Sequence, residues 1–114
     1  MKKIALLSDQ HGNLPALPSC DLLILAGDLC GGPASKDGKW RPDLSDLFWM
    51  KWLRNEFTQW ISVAPRAVVV GGNHDTTIEK YGFPNLPDVF YLCDSGCNVL
   101  GMSIWGCPWI KRFD

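Results

Sequence analysis

Histidine is nearly absent from this 114-residue chain: His11 and His74 are the two it has. A site built from several imidazoles is excluded, and each of the two needs its own account. Cys-x-x-Cys spacing is also missing. Cys20, Cys30, Cys93, Cys97 and Cys107 form an odd set, which argues against a zinc ribbon or a redox motif and for free thiols in a cytoplasmic setting. Neither sign of charge is in excess, with 11 basic and 12 acidic residues and a formal net charge of −1. The basic pairs Lys2-Lys3 and Lys111-Arg112 are too isolated for a nucleic-acid footprint, and no membrane surface is indicated. No apolar run approaches the roughly 18 residues of a membrane span. Ser8-Asp9 ends the run Ile4-Ala5-Leu6-Leu7 short of a signal-peptide core. Internal repeats and low-complexity tracts are absent as well.

What is present is an ordinary globular composition, 46% hydrophobic and 20% charged, and a length that suits one domain. At 12.7 kDa such a chain can bury about two thirds of its unfolded surface. Three apolar runs share one pattern. Residues 2–8 end at the polar loop Asp9-Gln10-His11-Gly12-Asn13, Leu22-Leu23-Ile24-Leu25-Ala26 ends at Gly27-Asp28, and Ala67-Val68-Val69-Val70 ends at Gly71-Gly72-Asn73-His74-Asp75. Continuous runs of this kind suit strands buried on both faces, and strands of one parallel sheet carry such loops to a common edge. Between the second and third runs, residues 31–42 read as a surface loop. Leu44, Leu47, Phe48, Leu53, Phe57, Trp60 and Ile61 then recur at helical spacing as far as Pro65, with Asp43 or Ser45 as N-cap. Trp49, Trp52 and Trp60 on this helix are read as packing. Residues 89–92 and 99–105 read as two strands joined in a hairpin through residues 94–98.

The polar loops carry the chemistry. Asp9 and His11, one residue apart on an extended strand end, point to the same side and offer a carboxylate and an imidazole to a divalent transition metal. Asp28 is placed to bridge two ions, Asn73 offers a neutral amide oxygen, and His74 could donate a proton with Asp75 orienting its ring. Each piece has a plainer reading: Asp-x-His is common, and Gly-Asp after a strand is usually a turn. Gly-Asn-His-Asp is the rarer signal, and its place after the other two, each at a strand end, sharpens it. No arrangement around Cys93 or Cys97 would lower a thiol pKa.

The ordered set Asp9-x-His11, Gly27-Asp28 and Gly72-Asn73-His74-Asp75 resembles the calcineurin-like metallophosphoesterase superfamily, and Gly106-Cys107-Pro108-Trp109 is similar to a Gly-x-Pro-Trp turn in its small members. The resemblance implies a four-layer α-β-β-α sandwich with two divalent ions (Mn, Fe, Zn or similar) at the strand ends. Asp9 and His11 would bind the first ion, Asp28 would bridge, Asn73 would bind the second, and His74, supported by Asp75, would act as acid. The family pattern continues with a further metal-binding histidine and a Gly-His-x-His motif, whereas no histidine follows His74. Residues 1–114 are therefore expected to be the N-terminal part of such a domain, its sandwich incomplete at the C-terminus and its second ion weakly held. Two functions follow. One is hydrolysis of a phosphomonoester or phosphodiester, with activity that depends on a complementing chain. The alternative is a non-catalytic remnant that binds a partner or assembles with itself.

Overall fold

The structure, a computed structural model, describes residues 2–30, 42–72 and 75–107. Four strands, β1 (Ile4–Leu7), β2 (Leu22–Ala26), β3 (Ala67–Val70) and β4 (Val89–Leu92), form a sheet in the order β1-β2-β3-β4. Every pairing in it is parallel, with Ile4 opposite Leu22, Leu23 opposite Ala67 and Ala67 opposite Val89. The helical layer runs from α1 (Pro42–Trp52) through a π turn (Leu53–Phe57) into α2 (Thr58–Ile61), and α3 (Thr76–Tyr81) follows β3. A two-stranded antiparallel sheet, β5 (Ser95–Val99) with β6 (Met102–Gly106), completes the described residues.

Strand alternation sorts the core into two halves. Odd-numbered Leu23, Leu25, Ala67 and Val69 meet Trp49, Trp52, Leu53, Phe57 and Ile61 of the helical layer. Even-numbered Leu22, Val68 and Leu92 meet Val99, with Cys97, Met102 and Ile104 of the hairpin packed around them. The central strands are thus covered on both faces, which is why their sequences are uninterrupted apolar runs. The edge strand is not: Ile4 and Leu6, on the hairpin side of β1, are 47% and 67% exposed. Among the described residues the architecture is therefore helices, parallel sheet and hairpin, an α/β fold of the expected class.

Three local readings change. The helix begins at Pro42, so neither Asp43 nor Ser45 precedes its first turn. Proline suits that position because its missing N–H would have had no partner there. The π turn inserts a wider loop of backbone, with Thr58 Oγ1 donating to the Leu53 carbonyl at 2.7 Å. The hairpin is not formed by residues 89–92 and 99–105. Val89–Leu92 joins the parallel sheet, and residues 95–98, read as part of the connection, belong with Val99 to a strand that turns at Leu100 and Gly101. Both turn residues have positive φ, 51° and 77°, the pattern whose twist matches a two-residue hairpin. A leucine at the first of these positions hides that signal in the sequence.

Trp49, Trp52 and Trp60 do pack. Trp49 and Trp52 meet edge to face at 5.2 Å, and a run of rings continues through Phe57 to Phe83, which stacks on Tyr91 of β4. Trp60 Nε1 donates to the Pro15 carbonyl at 2.7 Å. Asp46 of α1, buried, accepts a hydrogen bond from Thr77 of α3 at 2.7 Å and an ion pair from Lys80 at 3.4 Å. No helix among the described residues is long and apolar enough to cross a membrane.

Candidate metal centre

A parallel sheet delivers the C-terminal ends of its strands to one edge, and here the loops after β1 and β2 run side by side beyond that edge. Backbone N–H groups of Asp9, His11 and Gly12 donate to the carbonyls of Gly27, Asp28 and Leu29 at 3.1, 3.0 and 2.7 Å. This ladder brings together the three side chains singled out above. Asp9, His11 and Asp28 each offer one ligand atom, and all three atoms lie within 4.8 Å of one another. Asp9 and His11 are exposed, so the cluster opens to solvent.

The route to this geometry differs from the expected one. An extended strand end would have placed Asp9 and His11 on one side by alternation. Instead Asp9, His11 and Asp28 all adopt left-handed backbone conformations, with φ of 55°, 48° and 56°. Aspartate and histidine are among the few side chains that enter this region readily. His11 and Gly12, with φ of 48° and 85°, are the central pair of a tight turn closed by the Asn13 N–H on the Gln10 carbonyl at 3.0 Å. Trp49 of α1 lies against Gly12, so closely that a Cβ there would sit 2.6 Å from the indole. The helical layer therefore props this turn from behind.

Asn73 and His74 lie outside the described residues. Asp75, expected to orient His74, is 2% exposed, and its carboxylate is engaged by backbone. Oδ2 accepts from the N–H groups of Leu29 at 3.1 Å and Gly72 at 2.8 Å, and Oδ1 accepts from Cys30 at 2.8 Å. One buried carboxylate thus ties the loop after β2 to the loop after β3. The Cys30 thiol beside it is pushed up by burial first and then by the Asp75 charge, so it is held neutral. Sequence reading missed this tie because its donors are main-chain groups of Leu29 and Cys30, whose side chains only report burial.

Contact between the two loops is close. Gly72 has no room for a side chain, since a Cβ there would fall on Oδ1 and the backbone N of Asp28. Beside the cluster a groove of about 550 Å³ opens between the sheet and the hairpin, lined by Asp9, Ile24, Asp28, Val70, Gly72 and Trp105 among others.

Two carboxylates and one imidazole converging within 4.8 Å make a hard-to-borderline donor set for a divalent first-row ion. The donors present therefore fit one such ion. No curated protein matches the chain. The sequence model of the calcineurin-like phosphoesterase family matches residues 2–107, a span that includes every strand described above and all three converging side chains. With that match over most of its length, the chain belongs to the calcineurin-like phosphoesterase family, whose members are metal-dependent hydrolases of phosphate esters.

Proposed function

We propose that this chain carries metal-binding residues of a phosphoesterase site, acting on a phosphomonoester or phosphodiester. The observation that carries this reading is the convergence of Asp9, His11 and Asp28 at the sheet edge, with Asp9 and Asp28 lining the groove. In it, Asp9 and His11 would hold one divalent ion, Asp28 would be shared with a second, and Asn73 would be a ligand of that second ion. Ions bound there would supply charge neutralisation for the phosphoryl oxygens and make a water more acidic for in-line attack. His74 would give a proton to the departing alkoxide, and Asp75 fixes Gly72, the residue before Asn73 in the sequence. The roles of Asn73 and His74 rest on their place immediately after Gly72 and on the family motif. The free thiols among the described residues fit a reducing compartment, and we place the chain in the cytoplasm.

The test is Mn²⁺ titration with a chromogenic phosphodiester, comparing wild type with Asp28→Asn and His74→Ala. Hydrolysis that requires Mn²⁺ and falls at least about 100-fold in either variant is expected. Turnover indifferent to chelator and to both substitutions contradicts the mechanism.

One observation favours a second reading, an association module. Ile4, Leu6 and Phe90, all on the hairpin side of the sheet, are 47%, 67% and 38% exposed, and among the described residues β1 is an edge strand. Such a flank drives self-association or capture of a complementing chain. Light scattering decides: an assembly that Leu6→Lys dissolves supports it, and a wild-type monomer across the micromolar range rejects it.

A further inference from the structure

Gln10 stands between the two converging side chains Asp9 and His11, yet it faces inward and is only 6% exposed. Its Nε2 donates to the Asn13 carbonyl at 3.2 Å, and the Asn13 side chain returns the bond, donating through Nδ2 to the Gln10 carbonyl at 2.9 Å. Two reciprocal amide bonds thus bracket the turn whose central pair is His11 and Gly12. The second polar atom of Gln10, Oε1, is buried with no donor among the described residues. A buried acceptor without a donor is destabilising, and an apolar side chain of the same shape would avoid it. Stability alone therefore does not account for a glutamine here. What glutamine adds over an apolar isostere is the clasp.

The clasp sits where the backbone most needs holding. Asp9 and His11 occupy left-handed conformations, which aspartate and histidine enter more readily than most residues but which are still sparsely populated. One flank of the loop is fixed by the backbone ladder to residues 27–29. The other flank is closed by Gln10 and Asn13. We propose that the Gln10–Asn13 clasp is a positioning device for the metal centre. It holds His11 in the backbone conformation that brings its imidazole to Asp9 and Asp28, and it sets ion affinity rather than the stability of the fold. This rests on reading the Asp9, His11 and Asp28 cluster as an ion site.

The experiment is Co²⁺ titration of the full chain, followed by visible absorption, for wild type, Gln10→Met and Asn13→Ala, with thermal unfolding of each metal-free protein alongside. Methionine keeps the shape of glutamine and removes both polar atoms. Expected are Co²⁺ affinities weakened about 10- to 100-fold and shifted absorption bands in both variants, while metal-free Gln10→Met melts at or above the wild-type temperature. Unchanged affinity and bands in the folded variants overturn the proposal. So does a fall in the melting temperature of Gln10→Met, including failure to fold, because it assigns Gln10 to stability. Asn13, on the exposed side of the turn, then still reports on the clasp: normal Co²⁺ binding by Asn13→Ala is decisive against it. A wild-type chain without Co²⁺ bands overturns the underlying reading of the cluster as an ion site, a different result from wild-type binding that the variants share.

Discussion

Gly72 shows how much of this site depends on an atom that is not there. Its Cα faces Asp28 so closely that alanine would drive a methyl group into the Asp28 carboxylate and backbone. Gly72→Ala is expected to destabilise the fold by about 1–3 kcal/mol, the range for overpacking, and to weaken Mn²⁺ binding beyond what that loss explains. Urea unfolding and calorimetric titration on the same variant separate the two effects. A second residue-scale consequence lies on β4, at the edge of the aromatic run. The Tyr91 phenol is pushed up to about 12, by burial first and then by the neighbouring Cys93, Asp75 and Glu79. Because the folded value exceeds the ordinary one near 10, the neutral phenol is favoured in the fold. Its contribution is complete below about pH 10 and is lost as pH rises towards 12. Urea midpoints should fall across that window, and Tyr91→Phe should flatten the fall, leaving a residual slope from Cys30, which burial shifts in the same direction.

At the level of elements, the β5–β6 hairpin depends on two left-handed residues in succession. A Cβ at Gly101 would meet no atom within 4 Å, so the effect of Gly101→Ala is backbone strain alone. It should reduce stability by about 1–2 kcal/mol, read from thermal unfolding, with no change in Mn²⁺ affinity. This hairpin also marks the limit of what the residues reveal in advance. β2 and β3 were legible to the residue, because strands buried on both faces must be unbroken apolar runs with glycine at their ends. β5 was not, because Ser95, Gly96 and Asn98 lack the apolar weight of a strand and Leu100 does not look like a turn residue. α3 was missed for a similar reason: its six residues are too few to show a helical period. At the site, Asp9, His11 and Asp28 were legible from spacing and order, since side-chain chemistry is written in residue types. The left-handed turns that gather them were not, since main-chain conformation at aspartate and histidine is decided by the ladder between two loops.

For the molecule as a whole, the parallel sheet does two things at once. It stacks apolar strands into one core, and it sends three loops to one edge, where residues far apart in sequence become neighbours. The flank carrying Ile4 and Leu6 lies on the same side of the sheet as the groove.

The carboxylate of Asp75 carries a last consequence, in the kinetics of local opening. The amide hydrogens of Leu29, Cys30 and Gly72 all end on its two oxygens. The Gly72 bond lies within the loop after β3, whereas the Leu29 and Cys30 bonds cross to it from the loop after β2, so separating the two loops releases Leu29 and Cys30 together. Native-state hydrogen–deuterium exchange should therefore give the Leu29 and Cys30 amides a common protection factor and a common denaturant dependence, as members of one cooperative unit. In Asp75→Ala they should become fast together, while the amides of β2 and β3 keep their protection. Independent exchange of Leu29 from Cys30 would show that the carboxylate does not hold the loop after β2 as one unit. Shared exchange would mean that the segment carrying Asp28 docks on Asp75 and leaves it as a single body.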